Sequence, residues 1–88
     1  MSDAIINVLY FSWVRDHIGT ASEQIRLPEG VTTVGDLMPV LTARSPGHAL
    51  ALKNMTTVRV AINLRYGDLK TGITGGDEIA FFPPVTGG

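Results

Sequence analysis

Cysteine is absent from the 88 residues, and with it go disulfides, iron–sulfur clusters, thiolate zinc sites and cysteine nucleophiles. Excess charge is missing too: seven Lys and Arg face eight Asp and Glu, a formal charge of -1 with no basic run. That balance lacks the electrostatic footprint of a nucleic-acid binder, so neither DNA nor RNA is expected as a partner. No stretch approaches the roughly 18 consecutive apolar residues of a membrane-spanning helix. The start, MSDAIINVLYFSWVRD, places an acid before a short alternating apolar stretch, where a signal peptide would carry basic residues. A cytoplasmic protein without a membrane partner is therefore expected, and the sequon-like Asn54–Met55–Thr56 is read as chance.

What is present is a globular composition, 44% hydrophobic and 17% charged. A chain of this length makes one domain and buries roughly 60 to 65% of its unfolded surface, enough for one modest core.

Residues 4–11, AIINVLYF, join β-branched and aromatic side chains in a short run and read as a first strand. Strand geometry puts Ile6, Val8 and Tyr10 on one face, and Ile5, Asn7, Leu9 and Phe11 on the other. Gly19 reads as a turn, and EQIRL, closed by Pro28 and Gly30, as a second strand completing a loosely connected hairpin. The period then changes: Val34, Leu37, Val40 and Leu41 share a helical face, Thr33 suits an N-cap, and Asp36 complements the helix start. Pro39 removes an internal donor from that helix, which predicts a bent or partly 3₁₀ first turn. HALALKNM fits a short helical turn or a loop. Residues 57–63, TVRVAIN, alternate strictly, with Val58, Val60 and Ile62 on one face and a wetter face of Arg59, Ala61 and Asn63. A short edge strand is expected in LRYGDLK, turn glycines in TGITGGDE, and a last strand at 78–82, EIAFF, stopped by Pro83 and Pro84.

Two strands, one helix and further strands in so short a chain predict an α+β fold: a mixed sheet across one main helix, with the first and last strands central and parallel. That is the β-grasp, or ubiquitin-like, architecture, expected over residues 1–82 and followed by a flexible tail at 83–88. A ferredoxin-like fold is the alternative, but it wants a second full helix.

Few residues invite catalysis. His17 and His48 fall in expected turns, without a metal-ligand spacing, and read as solvated loop residues. No metal site is expected. Asp77 and Glu78 are adjacent, so strand alternation would aim them apart. Serines 2, 12, 22 and 45 lack a nucleophile context, and GITGGD lacks the Lys and the helix of a phosphate loop. Arg15 fits either a surface ion pair or a partner contact.

The ending, FFPPVTGG, is different. With Ile79 and Phe81 inward, Phe82 points to the opposite face, as a partner anchor or as the cover of a core edge. The six residues beyond it reach about 20 Å at roughly 3.3 Å each, enough to enter another protein's active site. Two prolines stiffen the departure, and Gly87 and Gly88 would pass through a channel too narrow for side chains. A frayed end is the plain alternative, but this tail reads as a delivered reagent whose reactive group is the Gly88 carboxylate.

FFPPVTGG, GDEIAFF, the AIN strand end and VLYFSWVRDHIG resemble, over nearly the whole chain, the small subunits of molybdopterin synthase, a family of β-grasp sulfur carriers. The resemblance implies that Gly88 is adenylated by an ATP-dependent, ubiquitin-activating-like adenylyltransferase and then converted to a thiocarboxylate. The tail would enter the large synthase subunit and give sulfur to precursor Z (cyclic pyranopterin monophosphate), forming the molybdopterin dithiolene. It further implies a subunit that is not an enzyme alone, binds no cofactor, and uses Gly87 and Thr86 to thread the tail. Phe82, Pro83, Pro84, Val85 and Arg15 would meet the partners. A ubiquitin-like protein modifier, or a sulfur carrier for thiamine or tungsten cofactor synthesis, are the alternatives.

Overall fold

The computed structural model describes residues 4–84, and these form one five-stranded sheet with three short helices. In chain order they are β1 (Ile5–Tyr10), α1 (Ser12–Ile18), β2 (Ser22–Arg26), α2 (Val34–Thr42), α3 (Pro46–Leu52), β3 (Arg59–Ile62), β4 (Arg65–Gly67) and β5 (Glu78–Phe82). The sheet order is β2-β1-β5-β3-β4. Its central pair, β1 and β5, is parallel, from Asn7 opposite Glu78 to Tyr10 opposite Phe81. β2, β3 and β4 join antiparallel on either side. The expected topology, with the first and last strands central and parallel, is the one observed.

Alternation decides which side of the sheet meets the helices. Ile6, Val8 and Tyr10 of β1, Val60 and Ile62 of β3, and Ile79 and Phe81 of β5 are all buried. They pack with Val34, Leu37 and Leu41 of α2, Ala51 and Leu52 of α3 and Val14 of α1. Tyr10 and Phe81, opposed across the central pair, stack with ring centroids 6.3 Å apart.

Two local expectations are corrected, and the alternative left open for HALALKNM is decided in favour of a helix. The connection after β1 is not a loose turn but helix α1, and Gly19 is its left-handed C-cap, donating its N–H to the Arg15 carbonyl. Seven residues with one buried side chain, and an N-cap Phe11 that makes no capping bond, leave almost no periodic or capping signal. HALAL belongs to α3, where the Ser45 hydroxyl caps the His48 N–H and Pro46 opens the helix. α2 is α-helical from Val34 to Thr42 with Pro39 inside it, without the 3₁₀ start. Thr33 caps the Asp36 N–H at 3.1 Å, and the buried Val34, Leu37 and Leu41 hold the helix through the single bond that Pro39 cannot make.

Candidate functional site

The tail departs from the middle of the sheet. β5 is bonded to β1 on one side and β3 on the other. It ends at Phe82, because neither Pro83 nor Pro84 has an N–H with which to extend a ladder. Inward Ile79 and Phe81 are fully buried, which sends Ala80 and Phe82 to the face away from the helices.

That open face is apolar along one line. Leu9, Ala80, Ala61 and Tyr66 are successive cross-strand neighbours on β1, β5, β3 and β4. The two alanines leave a shallow floor, and Leu9, Phe11, Leu64, Tyr66, Glu78 and Phe82 stand around it, enclosing a hollow of about 330 Å³. Phe82 is half-buried, its ring 5.9 Å from that of Tyr66 at a tilt of 50°. Phe11 and Tyr66 are 46% and 79% exposed, so the hollow is rimmed by aromatic surface that the described residues do not cover. Arg59 lies directly across from Phe82 on β3, where the tail begins.

Of the residues assigned from sequence, Phe82 lines the hollow, and Pro83 and Pro84 follow it. Arg15 does not line it; it is exposed on α1, with its guanidinium 3.7 Å from the Asp16 carboxylate. Val85, Thr86, Gly87 and Gly88 lie outside the described residues. Sequence reading missed Leu9, Phe11, Leu64 and Tyr66 as site residues. Their signal was a supposedly wet sheet face that nevertheless carries large apolar side chains at period-two positions of β1 and in the hairpin after β3.

The other side of the sheet holds a polar cluster that spacing did not announce. Glu23 Oε2 accepts from the Tyr10 hydroxyl at 2.7 Å and from His48 Nε2 at 2.6 Å, while Oε1 accepts from Arg44 Nη2 at 3.3 Å. His48 Nδ1 lies 2.7 Å from the Ser45 hydroxyl. His48 is therefore a buried helix residue and not the solvated loop residue expected from sequence, whereas His17 is exposed on α1, edge-on to Trp13. Burial pushes the Tyr10 hydroxyl far up, with the Glu23 hydrogen bond and charge adding to it, so Tyr10 remains a donor. Burial also raises the Glu23 carboxyl, but hydrogen bonds from His48 and Tyr10 and the Arg44 charge outweigh it and hold Glu23 below the ordinary glutamate range.

Ser45, His48 and Glu23 stand in the order of a nucleophile triad, yet the Ser45 oxygen already accepts the His48 backbone N–H as the α3 cap. The cluster ties α3 to β2, on the face of the sheet opposite the hollow. Asp77 is likewise committed to structure, accepting from Thr74 N at 2.8 Å and from Asn63 Nδ2 at 3.0 Å. GITGGD is thus a turn, as read from sequence. No group of three or more His, Asp or Glu among the described residues is arranged to hold a metal, and no described helix is long and apolar enough to cross a membrane.

Comparison with known proteins agrees with this geometry. The chain is 39% identical over 84 residues to the molybdopterin synthase sulfur carrier subunit of Haemophilus influenzae, covering 96% of this chain and 100% of that protein. It is 36% identical to the subunit of that name from Mycobacterium tuberculosis, covering 94% and 96%. Among solved structures, SAMP1 from Haloferax volcanii superposes with a TM-score of 0.77 at 25% identity, over 96% of this chain and 99% of that one. The complex of subunits 1 and 2 of the molybdopterin-converting factor from Helicobacter pylori contains a chain of the same fold, with TM-score 0.66 at 22% identity over 96% and 99%. The ThiS family model matches residues 8–88, from the first strand through the final glycine, and the chain belongs to the ThiS family.

Proposed function

We infer that this chain is the sulfur carrier of a molybdopterin synthase, with residues 1–82 as the body and 83–88 as the delivering tail. The observation that carries the reading is the departure of the tail from Phe82, at the rim of an apolar hollow that no described residue covers, in a chain whose family match runs to Gly88. A partner that takes the tail has to lie against this face, and the face offers it aromatic side chains to bury. The names of the curated relatives point to the large synthase subunit as that partner.

The chemistry follows from the terminal group. A carboxylate is a poor electrophile. Adenylation of Gly88, with ATP supplied by a ubiquitin-activating-like adenylyltransferase, makes an acyl phosphate anhydride; a sulfur nucleophile then forms the C–S bond as the C–O bond to AMP breaks. The resulting thiocarboxylate gives its sulfur to precursor Z inside the large subunit. The adenylate and thiocarboxylate are covalent intermediates on Gly88, Gly87 and Thr86 thread the channel, and Phe82, Pro83, Pro84 and Val85 dock, with Arg15, exposed on α1 outside the hollow, as a further partner contact. Activation and transfer are tasks of the partners, which makes this subunit the donor and not the catalyst. Its work is in the cytoplasm.

Co-expression with the activating enzyme and a sulfur source tests this: the intact mass should rise by one oxygen-for-sulfur exchange at the C-terminus. No shift under conditions that charge a known carrier would overturn it. The likeness to SAMP1, a small archaeal modifier by name, supports a second reading as a protein modifier. Gly-Gly remnants on lysines of other proteins, abolished by removing Gly88, would favour that reading.

A further inference from the structure

We propose that Leu64 is an anchor by which the large synthase subunit grips this chain, at the end of the hollow away from the tail; this rests on the docking face inferred above. The β3–β4 hairpin turns on Asn63 and Leu64, both left-handed, with φ of 51° and 71°. Such a two-residue turn matches the twist of its strands and calls for Asn followed by Gly. Asn63 suits its place: its side chain accepts the Glu78 N–H at 2.9 Å and donates to Asp77, and its own N–H donates to the Glu78 carbonyl.

Leu64 has none of these compensations. It is an aliphatic side chain in a backbone conformation that Gly or Asn adopts at lower cost, and it is 90% exposed. Backbone strain and apolar exposure both count against it in the free chain, and so little of it is covered that burial offsets neither. Non-glycine strain of this kind is held in place by the surrounding structure and clusters at functional sites. Leu64 lines the same hollow as Phe11, Tyr66 and Phe82, and with Phe82 it brackets the floor of Ala61 and Ala80. Phe82 leads straight into the tail, so a subunit that swallows the tail lies along this face and reaches Leu64 by continuity. The chemistry expected of that subunit is an aliphatic or aromatic projection seated on the alanine floor. Around it, an acidic group would face Arg59 at the tail end, and a basic one Glu78 within the hollow.

The test is Leu64→Asn, which keeps the left-handed turn and removes the aliphatic contact, with Phe82→Ala measured in parallel. Binding to the purified large subunit from the same organism is read by calorimetry. Leu64→Asn should melt at or above the temperature of the unchanged protein, yet bind roughly five- to tenfold more weakly. Unchanged affinity in Leu64→Asn beside weakened Phe82→Ala would overturn the Leu64 anchor alone. Unchanged affinity in both would overturn the docking face itself. Weakened binding to the activating enzyme only would assign Leu64 to the other partner and also overturn the proposal. Leu64→Gly guards against an effect particular to Asn; lower melting temperatures in both variants would mean that Leu64 serves the fold.

Discussion

Tyr66 and Phe82 meet on the open face of the sheet with ring centroids 5.9 Å apart and planes inclined at 50°. Each belongs to a different strand, and β3 lies between them. The pair reaches over the end of β3 beside Arg59, with Tyr66 mostly exposed and Phe82 half-buried against it. The most exposed aromatic ring of the face is thus held next to the residue from which the tail departs.

Truncating Tyr66 should separate binding from folding. Tyr66→Ala removes a largely solvated ring from an edge strand, so stability should fall by about 1 kcal/mol or less, the scale of one cross-strand aromatic pair. Affinity for the large synthase subunit should fall by about tenfold. Denaturant melts alongside calorimetric titration check both. A large stability loss with unchanged affinity would make Tyr66 a fold residue.

Adding one residue after Gly88 should leave the melting temperature unchanged and abolish thiocarboxylation. The body ends its sheet at Phe82, whereas the proposed chemistry needs the Gly88 carboxylate itself. Intact-mass spectrometry reads the outcome, and an extended chain that still gains sulfur would show the reactive group to be elsewhere.

Glu23 should make stability depend on pH. Its native carboxyl titrates below its ordinary value, so the native state binds the proton less well than the unfolded chain does. Its contribution is therefore complete above the ordinary glutamate value and drains away as pH falls through the lowered native one. Glu23→Gln should melt below the unchanged protein near neutrality, and the gap should narrow as pH falls below the ordinary glutamate range. A gap independent of pH would mean that the charge at Glu23 contributes nothing and only its shape matters.

Gly47→Ala sets two effects against each other. Alanine within a helix ordinarily gains about 1 kcal/mol over glycine. At Gly47 of α3, however, an added Cβ would run into the His17 backbone carbonyl of α1, which has no rotamer with which to move aside. Overpacking at a backbone contact should prevail, for a net loss of roughly 1–3 kcal/mol in chemical denaturation. A stabilised variant would show that α1 and α3 can separate freely.

The sequence was most legible where a period repeats. Period two grouped Ile6, Val8 and Tyr10, then Val58, Val60 and Ile62, then Ile79 and Phe81 on single faces, and all of them are buried, though for the first strand the sequence did not say which of its two faces turns inward. The 3.6-residue period of α2 announced Val34, Leu37, Val40 and Leu41, of which all but the half-buried Val40 are buried. Helix α1 was illegible because one buried valine makes no period, and His48 because the residue that buries it most specifically, Glu23, lies on another strand.

By itself, then, the sequence determined the mixed sheet with parallel central strands, the side chains that share a face and the bare Gly-Gly ending, because each is written in neighbouring residues. Only the tertiary structure decided that Leu9, Ala80, Ala61 and Tyr66 line up across four strands, and that Leu64 and Phe82 frame one hollow beside the departing tail. Local residues record which face a side chain takes. Which strand lies beside it is settled by register and sheet order, and those come from burying the whole core at once.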